Sequence, residues 1–562
     1  MSDLTSKTRQ RRFTMLTEAP VQFTIETLTG VRVRFKIRNA SLSGVALETA
    51  DALPADESLA VGCIVPATKV TCDGHEHTLG RMIVRSVAQK GDLTQVSLST
   101  VDARIPVDGI LGRHLVETIG DGNSPYDFEL SSEKFSLADF REGNEQDVDL
   151  FAKTKKFSVF LREWEKSDRF GYKNVRTPSM GSRVKLAASR KNGRHDFLLM
   201  GSNDYLGLAS DPEVIKAAKD AMDDYGFGST GSPVTSGLSL VHEELSEMLA
   251  HLFRKDKVIL FNSGYAANLG AISGLIQAQD LVVADMIAHA SIQDGMALCQ
   301  GTARFFKHNN AEHLDALLQE NRKDHCGALM ITEGVFSMDG DVGALPQLLK
   351  VAEKHKCRTM VDEAHSFGVI GPRGFGACEK FEVTDQVDMI MGTFSKVCGG
   401  IGGFIAADQD VADWLYILAR AHVFSVSIPP STAAAALKAL QIFTRDKSLL
   451  ERLQANIKHF AAGLRELGFP ISLSHESAVL PAVIGDQTKL GIMNRAMLDL
   501  GVFVVPIVYP AVSRNKVRFR FTVMATQTIS DLDYALNALE QAMKKADFSP
   551  HAALAPAVKA SA

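Results

Sequence analysis

The strongest constraint on the fold is an alternation of short apolar runs with helix-spaced segments in the second half of the chain. Asp280-Leu-Val-Val-Ala-Asp285, Ala328-Leu-Met-Ile-Thr332, Arg358-Thr-Met-Val361 and Val387–Thr393 read as buried strands. Between them, Ala311–Asn321 and Leu345–Lys356 repeat apolar residues at helical spacing, with Pro346 suited to a first helical position. That succession implies parallel strands joined by crossover helices, an α/β fold. Ligands of such sheets sit at the carboxyl ends of the strands. Asp362 and Lys396 both fall just past strand ends, so the topology can bring them to one ligand.

Lys396 lies in Met389–Gly403, where the apolar run stops at Gly392, a Thr-Phe-Ser-Lys turn follows, and glycines leave the approach open. A lysine in such surroundings is poorly solvated, so its amine becomes a nucleophile. On its own, such a lysine is more often one snorkelling from a core edge. The residues upstream shift that balance. Asp362-Glu-Ala-His365 also occurs in helicases, but those need a G-x-x-x-x-G-K-[ST] loop, which this chain lacks. Asp362, then His365, then a strand leading to Lys396 is the order expected of a pyridoxal phosphate enzyme. Lys396 would hold the cofactor as a Schiff base, and Asp362 would pair with the protonated pyridine nitrogen. His365 would hydrogen-bond the ring hydroxyl and His289 would stack on the ring face. For the phosphate, Ser263, Gly264 and Tyr265 precede a helix-like stretch and offer N–H groups at its N-terminus. Thr393 and Ser395 can add hydroxyls.

These residues belong to a longer series. It comprises Ser202–Leu208, Gly226–Ser232, Asn262–Asn268, His289-Ala-Ser291, Glu333–Asp341, Asp362–Ser366, Gly392–Lys396 and Phe424–Pro430. On these stretches the chain resembles the α-oxoamine synthase family, fold-type I pyridoxal phosphate enzymes that join an amino acid to an acyl thioester with loss of CO2. Arg520-Phe-Thr-Val-Met-Ala-Thr526 looks most like bacterial serine palmitoyltransferases. The resemblance implies a fold-type I transferase with a mostly parallel sheet over residues 151–547. It also implies a homodimer with the active site at its interface, and Ser337 at the cofactor. Arg520 would bind the amino-acid carboxylate, a grip suited to a guanidinium, and Asn203 and His242 would line the substrate entrance. The substrates would be a small amino acid, serine ahead of alanine or glycine, and a long-chain acyl-CoA or acyl-ACP, as in sphingolipid metabolism. Pro233, Val426 and Gln527 depart from the family pattern; they bear on substrate identity and leave the cofactor chemistry intact. Two rivals remain: an aminotransferase, which shares fold and lysine but needs a keto acid, and a signalling protein with a vestigial enzyme half.

At 562 residues the chain has room for a further domain. Residues 1–107 carry short alternating segments such as VQFTIET, VRVRFKI and TQVSLSTV, the pattern of a small antiparallel β-barrel. Arg9, Arg11 and Arg12 precede them, and Asn39-Ala-Ser41-Leu-Ser-Gly44 follows the second. These features resemble a PilZ domain, which implies cyclic di-GMP as ligand, bound by Arg11, Arg12, Asn39, Ser41 and Gly44. The arginine spacing departs from the family pattern, the nearest match being Lys7 with Arg11. Cys72, His75 and His77 flank Asp73-Gly74 and read as a hairpin tip, so no metal is expected there. Residues 108–150 read as a linker and 548–562 as a disordered tail.

A formal net charge of −5 gives no reason to expect nucleic acid as a partner. Seven scattered cysteines without a CxxC pair read as reduced thiols. With no signal-like or membrane-spanning apolar run, a cytoplasmic location is expected, with peripheral membrane contact open to an enzyme of acyl chains.

Overall fold

The computed structural model describes residues 174–550 except 178–179, 187–195 and 510, a few positions between 151 and 161, and the backbone of strands between 13 and 100. The chain divides into two compact units, Met1–Trp164 and Glu165–Ala562.

In the first unit the described strands pair antiparallel throughout. Gln22–Glu26 lies between Arg32–Ser41 and Ala67–Cys72. Asn39 and Ser41 do not follow the second long strand but close it, and Ser41 pairs with Gly44 across a two-residue loop. Cys72 pairs with His75, the register expected of a hairpin tip between them. Among the described residues no pairing joins the outermost strands, Ile64–Val65 and His75–Thr78, into a closed barrel. Arg11, Arg12 and the expected linker lie outside the described residues.

The second unit is built on a seven-stranded sheet. Its strands are β1 Lys257–Phe261, β2 Leu281–Asp285, β3 Thr302–Phe306, β4 Ala328–Glu333, β5 Arg358–Asp362, β6 Met389–Thr393 and β7 Gly403–Ala407. The spatial order is β1-β7-β6-β5-β4-β2-β3, parallel from β3 to β6, with β7 antiparallel to its neighbours. β2, β4, β6 and β7 are buried at every position, which accounts for their continuous apolar sequences.

Helices α1 Gly264–Leu275 and α2 Ala290–Leu298 cover one face, where Ala267, Ala271, Ile272, Ile292 and Met296 meet Ile259, Val282, Ile331 and Met360. Helix α3 spans Ala311–Asn321, the interval the spacing predicts, and its N-cap Asn310 accepts the His313 N–H at 2.7 Å. Helix α4, Leu345–Lys354, buries Leu345, Leu348, Leu349 and Ala352, one stripe at helical period. Pro346 is its second residue rather than its first, still within the turn whose N–H groups lack intrahelical partners.

A smaller sheet, Val479–Val483, Arg518–Thr522 and Val505–Ile507, carries Arg520 on its middle strand. Backbone bonds from Thr522 to Met200 and from Ala525 to Tyr205 dock the Ser202–Leu208 segment beside it. Gln527 helps lock this junction: its Oε1 accepts the Met524 N–H at 2.9 Å and its Nε2 donates to the Leu199 carbonyl at 2.9 Å. The expected tail begins too early, because Phe548 is buried and stacked on Phe469. No helix among the described residues is long and apolar enough to cross a membrane.

Candidate active site

The carboxyl ends of β4, β5 and β6 open on a cavity of about 250 Å3. Asp362 ends β5 itself, which runs one residue further than the strand read from sequence, and is 4% exposed. Lys396 follows β6 by three residues, in a turn closed by Gly399 and Gly402, both at positive φ (64° and 125°). A side chain at Gly399 would collide with the backbone of Ala209, so only glycine fits there. His289 is the N-cap of α2, and His365 follows Asp362 by one turn. Asp362, His365, His289 and Lys396 all line the cavity, together with Ser263, Gly264, Tyr265, Thr393 and Ser395.

Burial pushes the Lys396 ammonium below its ordinary pKa, partly opposed by the charge of Asp362. Burial, reinforced by the charges of Lys396 and Arg520, holds His365 neutral well below its usual range. A hydrogen-bond relay connects Asp362 to the His289 ring. Asn268 Nδ2 donates to Asp362 Oδ2 at 2.8 Å and to Ser291 Oγ at 2.9 Å, and Ser291 Oγ lies 2.7 Å from His289 Nδ1. The second carboxylate oxygen of Asp362 accepts the Ala364 N–H at 2.9 Å.

A second relay crosses the far side. Tyr205 OH lies 2.6 Å from His365 Nδ1 and 3.4 Å from Asn203 Oδ1, which accepts Arg520 Nη1 at 3.2 Å. Arg520 Nε donates to the Ser337 carbonyl at 2.6 Å. The Ser337 loop is gripped from two more directions. The fully buried Arg518 donates to Met338 O and to Asp339, and His308 bridges Asp285 and Asp341. Burial alone would lower the pKa of His308, but its two carboxylate partners carry it up to about 10.

Several sequence-derived assignments need correction. Thr393 is almost wholly buried and donates its hydroxyl proton to Gly402 O at 2.9 Å, so it shapes the turn; the exposed Ser395 hydroxyl lies 2.9 Å from Thr393 Oγ1 and, with that proton committed, donates to it. The Tyr265 hydroxyl is engaged with Asp294, which leaves its backbone N–H for the cavity. Ser337 is not among the cavity-lining residues; its carbonyl serves Arg520 instead. His242 does not line this cavity either. It closes the capping box of helix Leu240–Phe253 and hydrogen-bonds the Ile428 carbonyl at 2.8 Å. Asn268, Tyr205 and Glu333 were given no role from sequence. A buried asparagine in an apolar helix and a glutamate ending an apolar strand are the signals that could have found two of them, since buried polar groups require partners.

The donor set fits a flat aromatic ring with one anionic arm. The start of α1 offers the free N–H groups of its first turn, with Ser263 as cap through its bond from the Ala266 N–H. At Gly264 even a methyl group would stand 2.9 Å from Thr393 Cβ, so the cradle tolerates no side chain. A carboxylate, a neutral imidazole and an amine of lowered basicity complete the complement for pyridoxal phosphate.

The pattern of the family aminotransferase class I and II matches residues 195–539. The 8-amino-7-oxononanoate synthase of Thermoanaerobacter pseudethanolicus is 38% identical over 350 residues, 62% of this chain and 88% of that protein. The serine palmitoyltransferase (SPT) of Sphingobacterium spiritivorum is 40% identical over 350 residues, covering 62% and 87%. A solved structure of SPT with PLP as an internal aldimine superposes with a TM-score of 0.68 at 30% identity, covering 71% of this chain and 99% of that one.

Proposed function

The chain belongs to the aminotransferase class I and II family, as a pyridoxal-phosphate-dependent acyltransferase of the α-oxoamine synthase type, and we propose that it condenses serine with a long-chain acyl thioester. The products would be an α-amino ketone, CO2 and the free thiol. The observation that carries this reading is the meeting of Lys396, Asp362, His365 and His289 at one cavity, with Arg520 linked to it through Asn203 and Tyr205. Serine is preferred to alanine and glycine as the amino acid, and a long-chain acyl group to a pimeloyl-type one as its partner, on the likeness of Arg520–Thr526 to serine palmitoyltransferases.

Pyridoxal phosphate, when bound, supplies the electron sink for chemistry at the amino-acid α-carbon. Lys396 would hold the cofactor, and its amine, whose pKa burial lowers, would serve as the base that accepts the α-carbon proton. Asp362, braced by Asn268 and the Ala364 N–H, would pair with the pyridine nitrogen of the cofactor. With Nδ1 held by Tyr205, His365 has Nε2 left and would use it to hold the ring hydroxyl of the cofactor. His289 would stack on the cofactor ring, and Arg520 would use its remaining guanidinium edge for the substrate carboxylate. Borohydride reduction of the holoenzyme followed by peptide mass spectrometry tests the assignment. Cofactor fixed to Lys396 supports it, and cofactor on another lysine overturns it.

A homodimer accounts for large apolar side chains exposed in the single chain: Phe227 at 85%, Phe424 at 77% and Ile401 at 57%. Light scattering that returns the monomer mass would contradict this. For the first unit, cyclic di-GMP binding rests on the PilZ resemblance and the Asn39–Gly44 hairpin. Calorimetry on the full chain that yields no heat would leave a docking domain as the better account.

A further inference from the structure

The ends of β4 and β5 bring two carboxyl groups together, and only Asp362 has so far been given a task. Glu333 and Asp362 are the last residues of their strands and are partners in register. Both line the cavity, and they are 3% and 4% exposed. Their partners differ. Asp362 is held by Asn268 and Ala364, whereas Glu333 Oε1 accepts the backbone N–H of His289 at 2.5 Å. That N–H belongs to the N-cap of α2, where the chain leaves the β2 turn and the imidazole enters the cavity.

Two adjacent buried carboxylates cannot both be charged without a large electrostatic cost. Burial, then the neighbouring Asp362 charge, raises the Glu333 carboxyl well above its ordinary range, while the His289 N–H and Lys396 act in the opposite sense. A protonated carboxyl still accepts through its carbonyl oxygen. A bond to a backbone N–H fixes the main chain of His289 independently of the Ser291 bond that orients its ring.

We propose that Glu333 is a positioning residue: by accepting the His289 backbone N–H it fixes that segment, and thus the imidazole, against the cofactor face. This rests on the stacking role given to His289 above.

The test uses the purified full-length chain and three variants, Glu333→Gln, Glu333→Ala and His289→Ala. The readouts are the pyridoxal phosphate dissociation constant of the apoprotein, the visible circular dichroism of the bound cofactor, and turnover. Glutamine keeps the acceptor without the charge, so it should stay within about twofold of wild type on all three readouts. Alanine leaves a buried N–H without its acceptor; it should weaken cofactor binding by about tenfold and shift the dichroism toward that of His289→Ala. Glutamine as impaired as alanine would overturn the proposal in favour of a charged or proton-transferring Glu333. Alanine indistinguishable from wild type, with His289→Ala impaired, would overturn it by removing the positioning effect. A His289→Ala variant that matches wild type would overturn the stacking role itself, and the premise with it. If Glu333→Ala does not fold, Glu333→Met, which fills the volume but lacks the acceptor, takes its place in both comparisons.

Discussion

Asp362 is matched to its partners as an acceptor on both oxygens, receiving Asn268 on one and the Ala364 N–H on the other. Asp362→Asn would keep the volume but set an amide N–H2 against one of these donors and remove the charge. Turnover should fall by roughly two to three orders of magnitude with the fold retained, the scale on which one preorganised electrostatic partner acts. A steady-state rate near wild type, with unchanged far-ultraviolet dichroism, would remove Asp362 from its role. Arg520→Lys is the complementary change. A single ammonium cannot both hold Ser337 O and offer a two-point grip, so the dissociation constant for serine should rise by roughly tenfold or more. The KM for the acyl thioester should change much less. Titration of the cofactor absorbance with serine measures the first, and an equal loss for both substrates would contradict the assignment.

At the scale of elements, the site depends on close contact between the start of α1 and the strands that carry the lysine. A Cβ at Gly264 would lie 2.9 Å from Thr393 Cβ and 2.9 Å from Met391 Cε. Gly264→Ala should therefore push α1 away from β6 and weaken pyridoxal phosphate binding by roughly tenfold or more, as overpacking of a tight contact does; equilibrium titration of the apoprotein checks this. The Ser202–Leu208 segment gives a pH prediction. Burial, against hydrogen bonds from Ala209, Leu208 and Gly207, pushes the Asp204 carboxyl up to about 6. The folded form then holds its proton more tightly than the unfolded form, so stability falls as pH rises through about 6. Asp204→Asn should raise Tm at about pH 8 and leave it nearly unchanged at about pH 4. Scanning calorimetry at the two pH values tests the sign, and a gain confined to the acid side would refute it.

Strands β2, β4, β5 and β6 were legible because they are almost continuously apolar, and helices α3 and α4 because their apolar residues recur at helical spacing. Even so, β5 runs one residue further than Val361, so Asp362 sits within its register rather than beyond it. What the sequence could not convey was which hydroxyl protons and side-chain edges were already committed. Thr393, Tyr265 and His242 carry the right chemistry for a site, yet each is engaged by a neighbour distant in sequence or by a local turn. Conversely, Asn268, Tyr205 and Glu333 acquire meaning only through partners tens to hundreds of residues away.

For the whole molecule, the family match lies within the second unit, which also holds the residues that line the candidate site. The first unit contributes an antiparallel sheet, and its proposed ligand would act on catalysis only if it bound two catalytic states with different affinity. The central claim is decarboxylative carbon–carbon bond formation, and it is tested most directly by following the carboxyl carbon of the amino acid. The purified enzyme is incubated with carboxyl-labelled serine and palmitoyl-CoA, and labelled CO2, free CoA thiol and organic product are quantified together by mass spectrometry. The account predicts equal amounts of CO2 and thiol, with an α-amino ketone that has lost the label. Retention of the label in a keto acid, with no thiol released, would show amino transfer instead and contradict the account.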